Sequence, residues 1–208
     1  MDLLINPRRR HSADEDDLIV IPQAEAPAYF EWVLWRAFLA IDSLVNKPYA
    51  ARRFKIDQDF LPVGTAPGNG PDLIFEFDDY ILVVEVTLTD NSRQEAAEGE
   101  PVRRHVANVV AESSSIYGKP VYGLFIAKRI DSNTAETFRV GAWYNRDDFR
   151  MNLDIVPLTL EQFKNLFEAL FKSDLVSVAT IRALLDDCNA LRDRHDAPAW
   201  KMNIEAII

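Results

Sequence analysis

Residues 68–89 read GNGPDLIFEFDDYILVVEVTLT. Two apolar runs, 72–77 and 80–88, flank Asp78-Asp79 and predict two strands joined by a tight turn. Asp72 stands at the mouth of the first run, delivered by a loop of turn formers, TAPGNGP. Glu85 interrupts the second, otherwise apolar, run. A turn centred between Asp78 and Asp79 sets Asp72 opposite Glu85. Opposed residues share one face of a ladder with Cβ atoms roughly 4.5–5.5 Å apart, and like charges placed there repel. A divalent cation between them would turn that repulsion into coordination, and carboxylate oxygens suit Mg²⁺. Thr87, two residues on, falls on the same face. Acids make up 33 of the 208 residues, so the pair alone has two readings. It is either a metal site or an edge-strand glutamate that reaches water.

Outward from this hairpin, the chain reads as an N-terminal arm or linker over 1–26 and one domain over 27–208. The arm holds a basic patch, Arg8, Arg9, Arg10 and His11, which is either a solvated tail or a DNA-contacting arm. Pro27 suits the first turn of a helix over AYFEWVLWRAFLAIDSLV, apolar around much of its circumference and so mostly buried. RFKIDQDFLPV at 53–63 predicts a first strand. Pro101 opens a helix that Gly118 closes. PVYGLFIAKRI is a further buried strand, and 138–144 and 153–157 are candidate edge strands. Thr159 and Gln162 form a capping box for the next helix. A last helix at about 175–194 carries Leu184, Leu185, Cys188 and Leu191 at helical spacing. The order predicts an α/β fold with a central mixed sheet flanked by helices.

At 48% hydrophobic residues the chain can bury a real core. A net charge of −10 argues against coating DNA by charge alone, because phosphate binding depends on Lys and Arg. It leaves room for an enzyme that reaches DNA through a metal ion or a basic partner. No apolar run approaches the ~18 residues that span a bilayer, and the start lacks the apolar stretch of a signal peptide. The single cysteine, Cys188, forms no internal disulfide and fits a reducing cytoplasm. It reads as packing.

Pro71-Asp72, twelve intervening residues, then Glu85-Val86-Thr87 resembles the PD-(D/E)XK nuclease motif. Together YFEW, EVTLTDNSRQEAAEGEPVRRH and VPLTLEQFKNL resemble the cleavage domain of AlwI-like type IIS restriction and nicking endonucleases, over roughly residues 28–172. The bare motif is weak; the long block after Glu85, in order with the other two, is far more specific. The resemblance implies a restriction-endonuclease-like core and Mg²⁺-dependent hydrolysis of one strand of double-stranded DNA. It also implies a bacterial, cytoplasmic protein. It matches Asp72 and Glu85 to the main metal ligands, with Glu31 and the Val86 carbonyl joining them. It matches Glu98 and His105 to accessory catalytic positions. Full-length members carry a DNA-recognition region, for which no room is found here. The expectation is therefore a cleavage subunit or excised domain that depends on a larger DNA-recognition or nicking subunit.

Thr87 departs from the wider motif, which places Lys there to orient the attacking water and stabilise charge on phosphate. His105 is a substitute for part of that role. It lies with Val102, Val106 and Val109 on one side of its helix, and a pKa of ~6.5 lets it move protons near neutrality. Each of these residues keeps a plain alternative. His105 is equally a core histidine on a carbonyl, Glu31 a helix-start acid favoured by the dipole, and Glu98 a solvated acid. Arg93, Arg103 and Arg104 are either phosphate contacts or surface charges. Two other functions stay open at this point: a structure-specific repair or recombination nuclease, and a non-catalytic module with a vestigial site.

Overall fold

The computed structural model describes residues 1–5, 21–41, 43–116, 118–173 and 175–207. Its centre is a four-stranded sheet in the order β3-β4-β5-β8, made of Leu73–Glu76, Ile81–Thr87, Val121–Ala127 and Asp154–Thr159. β3 and β4 are antiparallel, whereas β4, β5 and β8 run parallel. Every residue of β5 is buried, and so is every residue of β4 except the half-buried Val86. Strands covered on both faces need no polar alternation, which is why both read as continuous apolar runs.

The hairpin register is the expected one. Phe77 N–H donates to Tyr80 O at 2.9 Å across Asp78-Asp79, and Leu73 pairs with Val84 at the far end. One further step of that register sets Asp72 against Glu85.

Helices cover the sheet. α2 (Ala26–Leu39) carries Pro27 in its first turn and buries Phe30, Leu34, Trp35 and Phe38. It ends well short of the apolar stretch that suggested it. α3 (Glu100–Ile116) seats Val102, Val106 and Val109 in the core. α5 (Leu160–Lys172) starts on the expected capping box, with Thr159 and Gln162 bonded reciprocally. α6 (Val178–Arg192) and α7 (Ala197–Asn203) close the chain, and Cys188 is buried in α6.

Several expectations need correcting. Residues 53–63 do not add a strand to the main sheet. They form β1 (Lys55–Ile56) and part of β2 (Pro62–Gly64), paired with each other as a separate ribbon. The reason lies within the run: Asp57 Oδ1 accepts the N–H groups of Asp59 and Leu61, each at 2.9 Å, and closes a turn there. Residues 138–144 split between the end of a helix and a short strand that stays outside the main sheet. α4 (Ser132–Val140) is capped by the Asp131 side chain and stopped by Gly141 at φ 59°. β6 (Ala142–Tyr144) then pairs only with β7 (Arg150–Asn152). The edge strand near 153–157 is present as β8.

The N-terminal segment is not wholly an arm, because the short helix α1 (Asp2–Ile5) buries Leu4, and Ile21 also enters the core. The patch Arg8, Arg9, Arg10 and His11 lies outside the described residues. Among the described residues no helix is long and apolar enough to cross a membrane.

Gly123, in the middle of β5, sets how closely α3 approaches the sheet. A Cβ there would lie 2.9 Å from Val106 Cγ2 and 2.9 Å from Ile155 Cγ1. Gly123→Val should therefore overpack the interface and destabilise the protein by about 1–3 kcal/mol, measured by urea unfolding. An unchanged midpoint would contradict this packing.

Candidate active site

Asp72, Glu85, Glu31 and His105 converge where β3 begins and β4 ends. Asp72 sits one residue before β3, after the turn-rich loop, and its Oδ2 accepts the Val86 N–H at 2.9 Å. Glu85 points from β4 into the interior and is 7% exposed. Glu31 comes from α2, is 4% exposed, and its Oε2 accepts the Ala66 N–H at 2.7 Å. His105 comes from α3, where its neighbours Val102, Val106 and Val109 face the sheet as expected. Its Nδ1 lies 2.6 Å from Glu85 Oε1.

The charges explain what this corner costs. Burial pushes the Glu31 carboxyl up to about 8, with the Asp72 charge adding to the effect and the Ala66 amide opposing it. Burial, then the neighbouring Glu85, pushes Asp72 up to about 7. Glu85 is raised well above the usual carboxylate range by burial and by Glu98, and the backbone amide of Asp72 works against that shift. Burial lowers the His105 pKa, which favours the neutral imidazole, and its Nδ1 is taken up by the bond to Glu85. That leaves His105 Nε2 buried with no hydrogen-bond partner among the described residues.

Glu98 lies in a π-helical turn, Glu95–Gly99, that runs into α3. It is half-buried, and its charge reaches both Asp72 and Glu85. Thr87 is buried, with its hydroxyl accepting the Thr89 N–H at 3.1 Å. Arg103 binds the carbonyls of Gly99 and Ala142, Arg104 pairs with Glu100, and Arg93 is exposed.

Two residues escaped the sequence reading. Gln94 is fully buried; its amide donates to Thr89 O at 2.6 Å and Arg129 O at 2.7 Å, and accepts from Asp131 N–H at 2.8 Å. It anchors the segment that carries Glu98. Nothing in the sequence marks one glutamine for this. The other is Arg53, whose charge acts on Glu85 and His105.

The donor set fits a hard dication. The side chains offer carboxylate oxygens whose pKa values are raised first by burial and then by neighbouring acids, and a cation would relieve that cost. The backbone contributes too. Phe77 and Tyr80 form a hydrogen-bonded pair, so alternate pairs down the ladder bond likewise, and the position facing Val86 is Pro71. Proline has no N–H to give the Val86 carbonyl. A residue's N–H and C=O point to the same side of its strand, and the Val86 N–H points to Asp72. Among the described residues no three acidic, histidine or cysteine side chains form a ready-made metal cage. Asp72, Glu85 and Glu31 each lend an oxygen to a neighbour instead.

A carboxyl whose folded pKa is raised stabilises the fold below its unfolded pKa and loses that contribution as pH climbs through the folded value. For Glu31 the window runs from 4.5 to about 8. In EDTA the Tm should fall as pH rises across it, and Glu31→Gln should flatten the fall. Parallel Tm–pH curves for wild type and Glu31→Gln would refute the assignment.

The family model for the AlwI restriction endonuclease matches residues 1–166. Among solved structures the chain is similar to the small subunit of the heterodimeric restriction endonuclease R.BspD6I. The two are 28% identical over 87% of this chain and 90% of that one, with a TM-score of 0.70. A match to the restriction endonuclease FokI, at 12% identity and a TM-score of 0.51 over 78% of this chain and 28% of that one, speaks to the fold alone. None of the curated proteins matches. Restriction endonucleases in general work with a divalent metal ion. With the PD-(D/E)XK sheet and its acidic corner in place, the chain belongs to the AlwI restriction endonuclease family and is a DNA endonuclease.

Proposed function

We propose that this chain is the Mg²⁺-dependent cleavage subunit of a two-chain restriction enzyme, cutting one DNA strand while a larger partner recognises the target. The observation that carries the reading is the register of the hairpin. It brings Asp72 to face Glu85, with Glu31 buried beside them and His105 bonded to Glu85. Asp72, Glu85, Glu31 and the Val86 carbonyl would hold one or two ions. Bound there, Mg²⁺ would supply Lewis-acid stabilisation of the charge that develops on the scissile phosphate and lower the pKa of water.

The chain's own residues do the rest. Glu85 fixes the orientation of the His105 ring through Nδ1, as a carboxylate does for a working imidazole. Neutral His105 then offers Nε2 to the proton of the attacking water, which meets a need that Thr87 cannot. Glu98, set by the π turn and by Gln94, adds negative charge at the rim and strengthens the pull on a cation. Helices carry Glu31 and His105, β4 carries Glu85, and Asp72 at the mouth of β3 is fixed by the Val86 N–H, so the geometry is preorganised.

Family membership favours a restriction enzyme over a repair nuclease. Keeping three carboxylates at raised pKa values is costly, which speaks against a vestigial site. The likeness to a small subunit supports a larger recognition partner. A cytoplasmic site of action accords with the one buried thiol.

Asp72→Ala and Glu85→Ala, assayed with the co-purified partner, should each lower strand cleavage by more than about 100-fold, beyond what outer-shell partners give. Without metal, Asp72→Ala should raise the Tm, because it removes a buried repulsion. His105→Ala should cost about 10²–10⁴ in rate. Near-normal cleavage by either acid variant would rule out the assignment.

A further inference from the structure

A chain with net charge −10 must still meet a polyanion at its acidic corner. The residue at position 87 is a threonine whose hydroxyl is engaged with the Thr89 N–H. Arg53 carries a positive charge that reaches both Glu85 and His105. It stands in the chain leading into β1 and is half-buried. Its Nη2 donates to Asn69 Oδ1 at 2.9 Å. Among the described residues it forms no ion pair, in contrast to Arg104 and Arg182, which hold carboxylates.

The guanidinium lies against the loop that delivers Asp72. A Cβ on Gly70 would lie 1.9 Å from Arg53 Nη1, so a larger residue there would push the guanidinium aside. Arg53 also lines a cavity of about 260 Å³, which Lys55, Gly64 and Thr65 share. Lys55 is exposed and pairs across the ribbon with Gly64, so no facing side chain covers it. Thr65 directly precedes Ala66, whose N–H holds Glu31. The cationic pocket and the acidic corner thus share a wall.

We propose that Arg53, with Lys55 in the same pocket, binds a backbone phosphate of the DNA beside the acidic corner and supplies the cation that Thr87 does not. An arginine suits the place, since its fork offers five donors to phosphate oxygens and stays charged at any working pH. The proposal rests on the nuclease reading above and adds the group that grips the substrate.

The test uses the whole chain, a short fluorescent DNA duplex and Ca²⁺, with anisotropy read across a salt series. Arg53→Ala should weaken binding about 10-fold and reduce the salt slope by about one. Arg53→Lys should recover part of that loss, because it keeps the charge without the fork. Gly70→Ala pushes the guanidinium aside without removing it and should weaken binding as well. The double variant should then bind no worse than Arg53→Ala alone.

Unchanged affinity and slope in Arg53→Ala would overturn the proposal, as would no measurable binding by wild type. A loss that tracks a lowered Tm and is not restored by Arg53→Lys would also overturn it, since that is a folding effect. Asp72→Asn separates the two readings. If it still cuts DNA, the acidic corner is not the active site whatever Arg53 does; if it is inactive while Arg53→Ala binds normally, only Arg53 is wrong.

Discussion

The register of one hairpin governs this structure. With Asp78-Asp79 as the bend, Asp72 and Glu85 fall opposite each other, and Pro71 falls opposite Val86. A slip of one residue would turn the acids to different faces and place a backbone donor on the Val86 carbonyl. Burial then raises the stakes, because carboxylates held this close in the interior repel unless something positive joins them. The helices answer to that corner: α2 brings Glu31 to it and α3 brings His105 to Glu85.

The supports are as informative as the acids. Gly123 lets α3 lie close enough to the sheet for His105 to reach Glu85. Gln94 ties the exit of β4 to the loop after β5 and the start of α4, so the Glu98 turn has a fixed base. Gly70 leaves room for Arg53 beside the loop that presents Asp72. Each is a small or neutral residue whose effect is felt through a neighbour.

That distinction explains what the sequence disclosed. The hairpin, its register, the capping box at Thr159 and the inward face of α3 follow from local rules of periodicity, turn chemistry and capping, and all were legible. The pairing of His105 with Glu85 joins residues 20 apart in sequence on different elements, and periodicity said only that His105 faced the sheet. α4 carried legible signals, Asp131 as its cap and Gly141 as its stop, but the candidate strand at 138–144 ran across that stop and took in the helix end with β6. The run at 53–63 misled for the opposite reason, since Asp57 folds it back on itself. Arg53 stayed hidden because its meaning depends on Gly70, 17 positions later and facing it only in three dimensions.

The central claim is that the faced acids and the Val86 carbonyl hold a divalent ion. Anomalous diffraction from crystals soaked in Mn²⁺ tests it most directly. The account predicts a peak about 2 Å from carboxylate oxygens of both Asp72 and Glu85 and from Val86 O. Manganese bound elsewhere, or at only one of the two acids with the other turned away, would contradict it.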